Sequence, residues 1–263
     1  MENVADDTPG GPRLPDLRAD LEVGGGGAVR RGQVVDAIGG VGLRMHYQPL
    51  VDLHTNRVLA YEALARFTGH PDVTPDGWFR HAGEMGLREE LELTALRCAL
   101  RALDDLKDEV SVCINLSQAG MMSPHLPAAL SQVPLERVVL ELTEQEEVSD
   151  YMAMNRALLR MRADGMRLAV DDAGAGFSSM RHIISLQPDM IKLDATWVTD
   201  IDADHLRRAM VSALATFAEQ IDAVMVGEAV ETARQAEVLR EIGVPVAQGY
   251  FFARPAPLAG AER

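Results

Sequence analysis

Seven acidic or amide side chains of this 263-residue chain close or follow short apolar runs of strand-like composition. Glu62 closes VLAYEAL, Asn115 ends VSVCIN, Glu141 sits in VVLELT and Asp171 and Asp172 end RLAVDD. Glu228 follows AVMVG, and Gln248 follows VPVA. A carboxylate in a buried run is costly unless a cation compensates it. Several at equivalent strand ends therefore predict convergence on metal ions. Alone, the Asp171–Asp172 pair reads as a helix cap or solvated turn. In this company it reads as two carboxylates held together by one or two divalent ions. An all-oxygen set with one amide suits Mg²⁺ or Mn²⁺ rather than zinc. The seven histidines show no HxxxH or HxH spacing. Lys192, inside the apolar MIKLD run, needs a buried acidic partner. It is either half of a structural ion pair or the group that orients or deprotonates an attacking water and neutralises charge on a reacting phosphoryl group. GFSSM around Ser178 lacks the second glycine of G-x-S-x-G, which argues against a serine hydrolase.

The elements that must position these groups alternate in type. Strand-like runs fall at 45–53, 58–67, 110–116, 137–143, 167–172, 189–194, 223–230 and 245–252. Apolar residues at threes and fours predict a helix from an Asp76 N-cap through Leu91, Leu96, Leu100 and Leu103. Further helices are predicted over 151–162, 205–220 and 233–242. Such alternation argues for parallel strands with crossovers, and eight of them predict an α/β fold, a TIM-like (β/α)₈ barrel. Only His54, Thr55 and Asn56 separate the first two runs, too few for a parallel crossover. The first strand is therefore expected to run antiparallel to the rest. Barrel enzymes place their chemistry at the C-terminal strand ends, where these polar residues are expected.

Composition narrows the function classes. A hydrophobic content of 47% supports a large core, and a net charge of −15 disfavours stable binding to duplex nucleic acid or an anionic membrane. Cys98 and Cys113 form no CxxC pair and read as ordinary reduced thiols. No run reaches the roughly 18–20 apolar residues of a bilayer span, and the acidic N-terminus does not resemble a signal peptide. A cytoplasmic protein without membrane insertion is expected. Residues 1–32 read as a flexible tail, and residues 33–263 as one domain. The tail's Gly24–Gly27 run is no phosphate loop, because no Gly-Lys-Ser/Thr follows it.

EALAR (62–66) resembles the signature of EAL domains, the phosphodiesterases that linearise the bacterial second messenger cyclic di-GMP. QPLVD (48–52), NLS (115–117), ELTE (141–144), DDAGAGFSS (171–179), IKLD (191–194), GEAVET (227–232) and QGYFFARP (248–255) complete the family's set in order. The resemblance covers about residues 34–258. It implies metal-dependent hydrolysis of cyclic di-GMP to linear pGpG by a water activated between two Mg²⁺ or Mn²⁺ ions per active site. Metal ligands would be Glu62, Asn115, Glu141, Asp171 and Asp172, with Glu228 on a metal or its water. Lys192 and Glu228 would serve the chemistry, and Glu144 would brace the loop after Asp172. Gln48, Leu64, Arg66, Asp194, Gln248 and Pro255 would contact substrate or the reacting water. A homodimer through that loop is implied as well. The chain departs from the family's DDFGTGYSS at Ala173, Ala175 and Phe177, which puts loop rigidity, dimer coupling and second-metal affinity in question. The alternatives are a catalytically silent cyclic di-GMP receptor or partner-binding domain, and a phosphodiesterase of another small substrate such as pGpG. No cyclase motif or sensor segment is legible, so regulation is expected from expression, partners, dimerisation or an upstream segment.

Overall fold

The computed structural model describes residues 29–143, 148–174 and 178–258. Its strands are β1 (Leu43–Asp52), β2 (Val58–Phe67), β3 (Ser111–Asn115), β4 (Val138–Thr143), β5 (Arg167–Ala173), β6 (Met190–Leu193), β7 (Val224–Gly227) and β8 (Val246–Ala247). They close into a barrel in chain order. β1 is antiparallel to both β2 and β8, and the remaining neighbours are parallel. The barrel with one reversed strand is thus the fold expected from the alternation and the short first connection. Asp52 Oδ1 makes that hairpin by accepting from the backbone N–H of His54 (2.8 Å) and Thr55 (2.7 Å), an aspartate-stabilised turn. Leu50, Ala60, Cys113, Val139, Ala169, Met190, Val226 and Val246 pack as an apolar layer contributed by all eight strands. This layer floors the functional cavity, and the helices bury the outer faces of the strands.

The helices are α1 (Arg31–Ile38), α2 (Pro75–Glu84), α3 (Arg88–Leu100), α4 (Gln118–Met121), α5 (Leu126–Leu130), α6 (Tyr151–Ala163), α7 (Ser178–Leu186), α8 (Ala195–Val198), α9 (His205–Gln220) and α10 (Ala233–Glu241). Side-chain caps start several of them: Asp150 on α6, Asp204 on α9, and Thr232 with Gln235 in a capping box on α10. Among the described residues no helix is long and apolar enough to cross a membrane.

Four sequence expectations change. The single helix from Asp76 is two, because Gly86 at φ +71° reverses the backbone between α2 and α3. The cap is Thr74, whose hydroxyl accepts from Gly77 N at 3.2 Å, not Asp76. The body begins earlier than residue 33: α1 starts at Arg31, and Val29 packs with Val34, Ala37 and Trp78. The last strand is much shorter than 245–252. It stops because the chain turns at Gly249, where a Cβ would lie 2.2 Å from the Val230 backbone.

Candidate metal centre

Strand alternation sends every second side chain of the barrel inward, and one such layer above the apolar floor is polar. Gln48 and Glu62 are register partners on β1 and β2, Asn115 and Glu141 on β3 and β4. Glu62 does not close its strand as expected. β1 and β2 pair along their whole length, so β2 runs on to Phe67 and leaves Glu62 in mid-strand. On β5 the register against β6 shifts between Val170 and Ala173, and Asp172 adopts φ +56°. An irregularity of this kind breaks strict alternation, letting adjacent carboxylates serve one cavity. Asp172 N donates to Asp171 Oδ1 at 3.0 Å.

Lys192 rises from β6 into the centre of this layer and is wholly buried. Its ammonium lies 2.9 Å from Glu228, 3.0 Å from Glu141, 3.1 Å from Asp171 and 3.5 Å from Glu62. Both Glu62 oxygens also accept amide donors, from Asn115 Nδ2 at 2.9 Å and Gln248 Nε2 at 2.7 Å. The Gln248 amide donates to Gln48 Oε1 at 3.1 Å as well, and Gln48 in turn donates to Ala253 O at 3.0 Å.

Burial works against the charge of Glu62, Glu141, Glu228 and Lys192, and the neighbours decide which of them keep it. Lys192 and the two amides outweigh burial at Glu62 and hold it below its ordinary value. At Glu141 burial wins, pushing the carboxyl up to about 8 despite Lys192. Glu228 is driven well above its ordinary value by burial and the neighbouring acids. For Lys192 the surrounding carboxylates overcome burial and hold the ammonium strongly protonated. Below it, burial and the Glu141 charge raise the Cys113 thiol well above its ordinary value, which makes it inert.

The cluster is rich in acceptors without donors. Asn115 Oδ1, Glu141 Oε1 and Gln248 Oε1 are buried and have no hydrogen-bond partner, an arrangement that is costly unless a cation faces the oxygens. Glu62, Glu141 and Asp171 bring carboxylate oxygens within 4.8 Å of one another, and so do Asp171, Asp172 and Glu228. The two groups share Asp171. Hard oxygen donors in this number fit divalent cations of the magnesium, manganese or calcium type.

The site therefore gathers Gln48, Glu62, Asn115, Glu141, Asp171, Asp172, Lys192, Glu228 and Gln248. Leu64 and Arg66 share the inward face of β2 with Glu62 and climb above it, Arg66 by about 13 Å at ordinary strand rise. Asp194 caps α8 by accepting from Thr196 N at 2.9 Å, and half-buried Pro255 follows β8. These four form no part of the carboxylate layer. Glu144, Ala175 and Phe177 lie outside the described residues. Sequence reading missed Glu92, a buried carboxylate of α3 that bonds Ser117 just past Asn115. Its signal was a charge between Leu91 and Leu93, two residues that the same helix buries.

A family model described as the EAL domain matches residues 31–255. The chain is 33% identical over 234 residues to the cyclic di-GMP phosphodiesterase NbdA of Pseudomonas aeruginosa, covering 84% of this chain and 30% of that one. It spans less than half the length of the curated relatives it matches. Among solved structures, the PaMucR phosphodiesterase in complex with c-di-GMP superposes with a TM-score of 0.76 at 28% identity, covering 86% of this chain and 97% of that one. The manganese and cy-diGMP complex of Klebsiella pneumoniae BlrP1 superposes with a TM-score of 0.72 at 29% identity, over 82% and 57% of the two chains.

Proposed function

The chain belongs to the EAL domain family, and from that membership we propose that it hydrolyses cyclic di-GMP to linear pGpG with two divalent ions, Mg²⁺ or Mn²⁺. The observation that carries the reading is the pair of carboxylate groups joined at Asp171, beside buried acceptor oxygens of Asn115, Glu141 and Gln248 that have no hydrogen-bond partner. Glu62, Asn115, Glu141 and Asp171 would hold one ion, and Asp171, Asp172 and Glu228 the other. Bound there, the ions supply Lewis acidity to a water and to the phosphodiester, and they offset the repulsion between an acidic cavity and an anionic substrate.

The chain's own groups do the rest. Asp171, common to both carboxylate groups, sets their separation. Lys192 stays protonated among its carboxylates, so its part is to donate hydrogen bonds and positive charge rather than to remove a proton. Its ammonium stabilises charge as water attacks phosphorus, the bond to the 3′-oxygen breaks and the proton given up by the water passes to that oxygen. Gln248 and Gln48, linked to each other and to Glu62, orient the water. Leu64 and Arg66 on the overhanging part of β2, with Asp194 and Pro255, would receive the guanine and phosphate groups, and Glu144 would brace the loop after Asp172. Exposed Met152 and Leu159 on α6, with Met180 and Ile184 on the adjoining α7, support a homodimer through this loop and its following helix.

The test is chromatographic. Purified protein with cyclic di-GMP and Mg²⁺ or Mn²⁺ is expected to release pGpG, and Glu62→Ala to release none. Tight binding without product in the parent chain would instead establish a receptor.

A further inference from the structure

The mechanism leaves unused a pair of acids on α3, Glu92 buried and Glu89 partly so. Helix α3 carries Glu89 and Glu92 three residues apart, on one face, and both reach the segment that follows Asn115. Glu92 is 4% exposed. Its Oε2 accepts from the Ser117 hydroxyl at 2.7 Å and its Oε1 from Arg88 Nε at 2.7 Å. Glu89 Oε1 accepts from the Ser123 hydroxyl at 2.5 Å. Between the two serines lies α4, a single turn of four residues. One turn has no stability of its own, because nucleation costs more than its first hydrogen bond returns. The serines complete the hold: Ser117 Oγ accepts from Gly120 N at 3.1 Å, and Ser123 Oγ from His125 N at 3.0 Å. Gly120 carries a further mark of the fit, since a Cβ there would sit 2.4 Å from Glu92 Oε2.

We propose that Glu92, assisted by Glu89, is a positioning residue that grips α4 at both ends and so fixes the turn presenting Asn115 to the metal. The inference rests on the metal-binding reading above. Asn115 stands two residues before Ser117. Its Nδ2 is committed to Glu62, and its Oδ1 is left for a cation. Leu116 N, bonded to Glu141 O at 3.0 Å, fixes the strand side of the turn, and Glu92 through Ser117 fixes the helix side. Without the Glu92 carboxylate, a buried hydroxyl loses its acceptor and the turn loses one of its two anchors.

Calorimetric titration of the full chain with Mn²⁺ tests this, run on the parent protein, N115A, E92A and E92Q, with thermal unfolding alongside. E92A is expected to weaken Mn²⁺ binding by about 10- to 100-fold, the usual cost of removing an outer partner of a ligand. E92Q, whose amide oxygen still accepts from Ser117, is expected to restore it. If E92A does not fold, S117A cuts the same bond from the other side and is expected to weaken binding likewise. A lower melting temperature with unchanged Mn²⁺ affinity in E92A and S117A, while N115A does weaken binding, would overturn the proposal and leave the acids purely structural. A parent protein that takes up no Mn²⁺ would instead overturn the metal reading, and this inference with it.

Discussion

Lys192→Met is the most informative single change to this cavity. The substitution keeps most of the side-chain volume, so the apolar floor is left intact and only the charge is lost. The ammonium is fully buried and lies within 3.5 Å of Glu62, Glu141, Asp171 and Glu228. Removing one partner of a buried ion pair costs about 3–5 kcal/mol, because the remaining charge is left uncompensated. For a domain of this size each kcal/mol moves the melting temperature by about 2–4 °C, so a drop of about 6–20 °C is expected without metal. Divalent cations are themselves counter-ions for the same oxygens. Saturating Mn²⁺ is therefore expected to recover most of the lost stability while leaving turnover down by about 10²–10³-fold, the usual cost of losing one charge-stabilising donor. The assay is thermal unfolding in chelator and in Mn²⁺, with product release measured on the same samples. A variant as stable as the parent in chelator would refute Lys192 as the internal counter-ion. A variant destabilised equally with and without Mn²⁺ would refute the shared use of these oxygens by lysine and metal.

The carboxylates should separate by position. Asp171→Asn removes the group common to both clusters and is expected to cut turnover by at least about 10³-fold and to disturb the uptake of both ions. Asp172→Asn should lower calorimetric stoichiometry from two ions to one, and equal stoichiometry in the two variants would sink the bridging role of Asp171. A pH dependence follows from Glu141, whose carboxyl is raised from 4.5 to about 8 by burial. Between those values the folded metal-free protein keeps a proton that the unfolded chain has released. Its stability is therefore expected to fall as pH rises through this window, and Glu141→Gln to flatten the slope. Mn²⁺ must displace that proton, so its apparent affinity should rise by up to about tenfold per pH unit and level off above 8. A pH-independent Mn²⁺ affinity in calorimetry would contradict the assignment.

The barrel was legible because two independent signals agreed, the alternation of apolar runs and a first connection too short for a crossover. The carboxylates were legible as a group because charge inside apolar runs is rare without a reason. Their placement was not. Glu62 reads as the end of VLAYEAL, yet it lies in mid-strand, because the apolar run continues to Phe67 and β1 pairs along all of it. The length of β2 is legible in the 58–67 run; that β3 to β8 stop short of it depends on long-range pairing. Gly86 broke a helix whose apolar periodicity ran straight through it, since a periodic pattern reports the buried face and not the backbone sign at one residue. Glu92 passed as an ordinary helical acid. Its partner Ser117 is 25 residues away, and only the packing of α3 over α4 brings them together.

The departures from the family's loop sequence lead to one further prediction. Ala173 stands where the family pattern has phenylalanine, and a smaller residue suggests slack beside the two aspartates. The packing around it is closed instead. Ala173 is the last residue of β5, pairs with Leu193 and is 3% exposed, in a cluster with Ile183, Leu193 and Val198. Trp197, from the connection after β6, packs on the same cluster. The next residue, Gly174, has φ +97°, and a Cβ there would fall 2.2 Å from the indole nitrogen. The backbone that follows the aspartates is thus pressed against an indole, and this bulk on the neighbouring strand connection replaces the need for a large side chain at 173. Restoring the family residue by Ala173→Phe should therefore overfill the cluster and destabilise the fold by about 1–3 kcal/mol. Ala173→Phe combined with Trp197→Ala should recover part of that loss. Denaturant unfolding of the two variants decides it. A single variant as stable as the parent would show that the space beside Ala173 is free and refute the closed packing argued for it.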